Sequence, residues 1–358
     1  MDQPGSKYWN RETSTKTDYT TSTAPIVNNA RILCLSNPND DANSVLYNSE
    51  LTDGAKLLCV GTCLEDFDVD TLAKQEPNVL FVSHPKAREP LVQLLEAFPS
   101  IQWVHARSAG IDFIASDGLS KSDVLVTNAK GHFSSTLAEY TMMACSYFAK
   151  DLPRLLRQKK EKNWEKYSVL ELRGSTMGVI GYGDIGRACA KLAKAYGMRV
   201  VALRRNPKRS ISDPYCDVVY GNDAEDLNRL MAESDYILVA APLTEETRGL
   251  VGQEAFTHAK KDAVFINVGR GPIVDENALI QALQSRKLKG AALDVMSVEP
   301  LPVESPLWDL DNVLISPHNM DQTATFLHEA TDFFINENLP RFARGEELLN
   351  PVDKTLGY

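Results

Sequence analysis

The sequence predicts an α/β protein of two doubly wound domains with mostly parallel sheets. Three observations predict it. Short apolar runs alternate with helical segments in two separate series, a glycine-rich turn stands between a strand and a helix in the second, and a long helical segment joins the two. A chain of 358 residues suits two domains, and its 43% apolar content suffices for two cores.

Taken in order, residues 1–29 are rich in Ser and Thr and read as a disordered tail. Asp2, Glu12 and Asp18 do not suit a transit peptide. From residue 31, "RILCLS", "LLCVG", "VLFVS", "IQWVH" and "VLVTN" read as buried strands, and "EPLVQLLEAF" has helical spacing between two of them. This is the βαβ pattern of a parallel sheet with helices on its faces. A helical segment then spans about 136–160. Thr136 and Glu139 have capping-box spacing at its start, and Pro153 is expected to kink or split it. After "ELRG" the second series runs "TMGVI", "RVVAL", "YILVA", "AVFINV", "GAALDV" and "NVLIS". The chain closes on the helical stretch "ATFLHEATDFFINENLPRFARG". If that stretch crosses back to the first unit, residues 30–131 and 321–358 form one discontinuous domain around a second, 132–320, with a cleft between them.

The net charge of −10 argues against a general nucleic-acid binder, which would carry a broad basic face. The six cysteines show no zinc-site spacing and read as reduced core residues, with no metal expected. No apolar run is long enough to span a bilayer and no signal peptide is evident, so a cytoplasmic protein without membrane partners is expected.

"TMGVIGYGDIGRACAKLAKAYGMRVVAL" fits strand, turn, helix, strand. Gly181, Gly183 and Gly186 supply G-x-G-x-x-G spacing, for a tight turn, a close approach to a pyrophosphate and close helix packing respectively. The following helix turns its free N–H groups toward the anion, with Ile185, Ala188, Leu192 and Tyr196 as its expected buried face and Gly197 as its end. Arg204 lies 18 residues past Gly186, at the end of the next strand. An acidic residue there accepts from the ribose hydroxyls of NAD, whereas arginine suits the 2′-phosphate of NADP. Arg204 and Arg205, with Lys208 and Arg209 behind them, therefore point to NADP(H) as the preferred cofactor, with NAD(H) possible.

Ligands of open α/β sheets bind beyond the carboxyl ends of the strands. Arg270 follows "AVFINV", Asp294 and Glu299 follow "GAAL", and His318 follows "NVLIS". This is a kit for reducing a 2-keto acid. A guanidinium fork holds a carboxylate and polarises a carbonyl, a histidine supplies a proton, and a carboxylate beside it orients the ring. The other histidines read as structural, with His84 and His105 the two that lie nearest the expected cleft.

At this point the chain resembles the D-isomer-specific 2-hydroxyacid dehydrogenases, through "VIGYGDIGR", "APLTEETRGLV", "INVGRGPIVDENAL", "ALDVMSVEPLP" and "ISPH", with "SAGID" and "VTNAKG" upstream. The resemblance covers about residues 50–345. It implies a Rossmann cofactor domain inserted into a flavodoxin-like substrate domain. It also implies Arg270, Glu299 and His318 as catalytic residues, with Arg270 and His318 also touching cofactor and substrate. Cofactor contacts would further include Gly181, Gly183, Asp184, Ile185, Gly186, Arg204, Arg205, Pro242, Thr247, Val268 and Asp294. The backbone N–H groups of Ala109 and Gly110 would receive the substrate carboxylate. Family members form homodimers through the long-helix region. Arg204 in place of the family's common Asp points to the NADPH-using glyoxylate/hydroxypyruvate reductase branch. Two departures, "PHNMDQT" without a glycine after the histidine and "FVSHPKARE" in the first unit, bear on substrate identity. Glu299 argues against formate dehydrogenase, where glutamine pairs with the histidine. The alternative is a dinucleotide-sensing scaffold, akin to the corepressors that share this fold.

Overall fold

The computed structural model describes residues 29–48, 51 and 54–354. The expected tail falls almost wholly on residues 1–28, outside the described residues.

Two parallel sheets carry the fold. The first contains β1 (Arg31–Leu35), β2 (Lys56–Gly61), β3 (Val79–Val82), β4 (Trp103–Ala106) and β5 (Leu125–Asn128), in the order β2-β1-β3-β4-β5. This is the flavodoxin-like order. The second contains β6 (Thr176–Ile180), β7 (Arg199–Leu203), β8 (Val218–Tyr220), β9 (Tyr236–Val239), β10 (Ala263–Asn267), β11 (Leu288–Leu293) and β12 (Val313–Ile315). Its order, β12-β11-β10-β9-β6-β7-β8, is the Rossmann arrangement, reversing direction where β6 meets β9. Central strands such as "VLFV", "YILV" and "AVFIN" are wholly buried, which is why they read as unbroken apolar runs. The edge strand β8 was not singled out from the apolar pattern, because its three residues are only partly buried.

The connecting segment is two helices, Ser134–Ala149 and Leu152–Glu161. The capping box expected of Thr136 does not form. The first helix starts two residues earlier, and the Thr136 hydroxyl instead donates to the Met320 carbonyl at 2.9 Å. Asp151, at φ +51°, breaks the segment and accepts from the Arg154 N–H at 3.3 Å, so Pro153 sits in the first turn of a new helix. Leu137, Ala138, Cys145 and Phe148 of the first helix pack with Met177, Val179 and Ala190 of the second sheet's domain.

The C-terminal segment comprises Phe326–Phe333, a π-turn Phe334–Asn338 and Leu339–Ala343. It returns to the first sheet, where the Phe334 ring centroid lies 4.8 Å from Phe81 and 5.2 Å from Trp103. The cysteines depart from expectation: Cys34, Cys145 and Cys189 are buried, but Cys59, Cys63 and Cys216 are partly exposed. Among the described residues, no helix is long and apolar enough to cross a membrane.

Candidate active site

The glycine turn joins β6 to the helix Asp184–Ala195. Gly181 has φ +96°, and a Cβ there would lie 2.5 Å from Ala241 backbone atoms, so the turn requires glycine. At Gly186 a Cβ would meet the Gly181 carbonyl at 2.4 Å, the close helix–strand approach that the spacing predicts. A Cβ on Gly183 would meet nothing within 4 Å, and no side chain caps the helix. The turn thus leaves room before a helix N-terminus whose N–H groups suit a pyrophosphate, and in this respect the residues fit a dinucleotide. The helix's fully buried residues are Gly186, Cys189, Ala190 and Ala193. Ile185, Ala188 and Leu192 pack only partly, and Tyr196 is half exposed, because small residues are needed where the helix lies closest to the sheet. Asp184 pairs with Lys130, from the segment after β5, at 3.4 Å.

Arg204 and Arg205 follow β7. The Arg204 guanidinium bonds the buried Ser210 hydroxyl, so "NPKRS" folds back as a 3-10 turn on the strand end. Pro242 and Thr247 follow β9 and bond each other, the Thr247 hydroxyl donating to the Pro242 carbonyl at 2.7 Å. Val268 is buried directly beyond β10.

Arg270 stands two residues further on. Its backbone is fixed by the buried Asn267, whose side chain accepts from the Gly269 N–H at 3.0 Å and donates to the Arg270 carbonyl at 3.2 Å. Nη1 of Arg270 donates to the Gly269 carbonyl at 2.9 Å, and Nε donates to Asp112 Oδ2 at 3.0 Å. Gly110 lies against the remaining nitrogen, for a Cβ there would be 2.0 Å from Nη2. Around Ala109 and Gly110 the carbonyls are engaged, by Asn128 at 2.6 Å and by Ser108 at 2.7 Å. Neither N–H is bonded to another group among the described residues.

His318 follows β12 with φ +51°, a backbone uncommon for residues other than glycine. The turn is held by Gln322, which donates to the His318 carbonyl at 3.2 Å, and by Asp294, whose Oδ1 accepts from the Asn319 N–H at 3.1 Å. The buried Asp294 also accepts from the Ser316 hydroxyl at 2.8 Å. Glu299 uses both oxygens: Oε1 accepts from the Met296 N–H at 2.9 Å, and Oε2 meets His318 Nδ1 at 2.7 Å. The ring is thus oriented through Nδ1, leaving Nε2 to face other groups.

Gly181–Gly186, Arg204, Pro242, Arg270, Asp294 and His318 all lie at the carboxyl edge of the second sheet, and Ala109 and Gly110 approach from the first. Four neighbours were not singled out from the sequence. Asn267, Lys130 and Asp112 lie inside or beside quoted motifs, but their contacts need the fold. Asp321 lies within electrostatic reach of His318, Asp294 and Arg270, and desolvation raises its carboxyl above the usual range.

Fold and site together define the class, a dehydrogenase working with a nicotinamide dinucleotide. A family profile described as "D-isomer specific 2-hydroxyacid dehydrogenase, NAD binding domain" matches residues 142–319. The chain is 32% identical to a glyoxylate reductase of Korarchaeum cryptofilum over 310 residues, 81% of this chain and 91% of that protein. It is also 32% identical to a D-3-phosphoglycerate dehydrogenase of Methanocaldococcus jannaschii over 267 residues, 73% of this chain, but spans only 49% of that relative's length. Among solved structures, a D-isomer specific 2-hydroxyacid dehydrogenase from Xanthobacter autotrophicus Py2, in complex with NADPH and MES, superposes with a TM-score of 0.76 at 31% identity, covering 92% of this chain and 99% of that one. The chain therefore belongs to the D-isomer-specific 2-hydroxyacid dehydrogenases, oxidoreductases acting on CH–OH groups.

Proposed function

We propose that the protein is an NADPH-dependent reductase of small 2-keto acids of the glyoxylate/hydroxypyruvate type, forming D-2-hydroxy acids. The observation that carries this is the His318–Glu299 pair, 2.7 Å apart, on the same sheet edge as Arg270 and the open glycine turn. Residues 132–320 hold the dinucleotide, which supplies the hydride when bound. Gly181, Gly183 and Gly186, with the first-turn groups of Asp184 and Ile185, cradle its pyrophosphate. Arg204 and Arg205 receive the 2′-phosphate, Pro242, Thr247 and Val268 line its path, and Asp294 takes the carboxamide. Residues 30–131 and 321–358 form the substrate side.

Arg270 holds the substrate carboxylate and polarises the carbonyl, while the N–H groups of Ala109 and Gly110 receive the same carboxylate. Nε2 of protonated His318 donates to the carbonyl oxygen as negative charge develops there, and Glu299 keeps the ring aligned and stabilises its charge. A homodimer accords with the exposed Leu155, Leu156, Trp164, Val169 and Leu170 along and after the second connecting helix, Trp164 being 94% exposed.

The test is NADPH and NADH oxidation measured with glyoxylate, hydroxypyruvate, pyruvate and phenylpyruvate. Turnover of the first two with a preference for NADPH is expected. Tight NADPH binding without turnover of any 2-keto acid would favour a sensing scaffold.

A further inference from the structure

We infer that Asp112 is a positioning residue for Arg270. It holds the guanidinium from the opposite domain through Nε, so that Nη2 stays turned to the substrate carboxylate. This rests on the reading of Arg270 as the carboxylate-binding residue.

Asp112 follows β4 of the first sheet, whereas Arg270 follows β10 of the second. The 3.0 Å pair thus joins the two sheets' loops, 158 residues apart in the chain. Asp112 is itself anchored, since Arg88 Nη2 donates to its backbone carbonyl at 2.5 Å. The arginine has few other restraints. With Nε on Asp112, Nη1 on the Gly269 carbonyl at 2.9 Å and Gly110 against Nη2, the guanidinium plane is set from both domains. An arginine side chain carries large rotamer freedom, and an unheld fork would lose much of the advantage of its planar geometry. The pairing uses the Nε side and leaves Nη2 close to Gly110, while the N–H groups of Ala109 and Gly110 are bonded to no other group among the described residues. On this reading the substrate carboxylate takes Nη2 without displacing Asp112.

The alternative is that Asp112 stands where the substrate carboxylate would bind and competes with it. The two readings predict opposite signs. Binding of oxamate, a non-reducible 2-keto-acid mimic, to the NADPH-loaded protein can be measured by calorimetry alongside KM and kcat. Asp112→Ala should weaken oxamate binding and raise KM by roughly ten- to a hundredfold, the range for losing a hydrogen bond to a charged group. Asp112→Asn keeps an acceptor oxygen and should stay within about threefold of the parent. Once Arg270 is replaced by lysine, Asp112→Ala should add little further loss, because partners in one network are non-additive. Tighter oxamate binding in either Asp112 variant, or fully additive losses in the double variant, would overturn the inference. If Arg270→Lys alone leaves KM and oxamate binding unchanged, the underlying reading of Arg270 fails instead.

Discussion

His318 and His105 belong to the two parallel sheets, yet they are treated in opposite ways. His318 lies just beyond β12, is 40% exposed, and meets Glu299 through one ring nitrogen. His105 lies within β4, wholly buried, with Nδ1 2.7 Å from the Thr127 hydroxyl and Nε2 without a partner. Phe81, Trp103, Phe333 and Phe334 surround its ring, and burial drives its pKa down to about 3, helped by His132. The contrast extends to the sheet edges. At the first, Arg107 bonds Asn43 at 2.7 Å and Asp40 at 2.8 Å, while Asn43 and Ser83 each bond Ser36 at 2.7 Å. These polar groups satisfy one another. At the second edge Arg270 and His318 are oriented by partners that leave part of their hydrogen-bonding capacity unused. Polar residues at a strand end therefore indicate chemistry when they are held but not fully satisfied.

The sharpest test of that contrast is His318→Ala. It should lower kcat by on the order of 10²–10⁴ while NADPH binding, measured by fluorescence, stays near the parent value. Near-normal turnover would remove His318 from the chemistry.

Next is Gly110, where the first sheet touches the second. A methyl group there would have to displace the Arg270 guanidinium, and a misplacement of about 1 Å can cost on the order of a hundredfold. Gly110→Ala should therefore cut kcat/KM by about that factor with little change in melting temperature. Unimpaired kinetics would show that the guanidinium relaxes without consequence.

A smaller effect is expected of Arg204→Asp, which removes a cation and adds a charge repelling the 2′-phosphate. NADPH binding should weaken by about tenfold to a few hundredfold, with NADH binding kept or improved. Comparing kcat/KM for both cofactors in parent and variant checks this; a variant still favouring NADPH would make the arginines a solvated patch.

His105 should show itself through stability. Its folded pKa lies below the unfolded value, so its contribution is complete above about pH 6.5 and is lost as pH falls toward 3. Well inside that window the single extra proton taken up on unfolding costs about 1.4 kcal/mol per pH unit. His105→Gln should be less stable at pH 7 yet lose less stability between pH 7 and pH 5. An equal pH slope in parent and variant would assign the acid sensitivity to other groups.

Much of this was legible in the sequence because the relevant signals are local. Buried parallel strands leave continuous apolar runs, and the glycine turn has its spacing within six residues, Gly181 to Gly186. Arg270, Asp294 and His318 could be placed at strand ends because each stands within three residues of the end of β10, β11 or β12. The Thr136 capping box failed for the opposite reason. Its hydroxyl found a tertiary acceptor in Met320, 184 residues away, which no local pattern records.

By itself the sequence determined the fold class, the dinucleotide turn and the residue types delivered to one sheet edge, since periodicity, glycine spacing and strand ends are properties of neighbouring residues. Only the tertiary structure decided which of those residues are held and by what. The pairing of Arg270 with Asp112, the pairing of Asp184 with Lys130 and the burial of His105 among aromatic rings all join segments far apart in the chain. Hydrogen bonds and desolvation act over a few ångströms of space whatever the distance in sequence, so these decisions waited on tertiary packing, between the two domains for the ion pairs and within the first for His105.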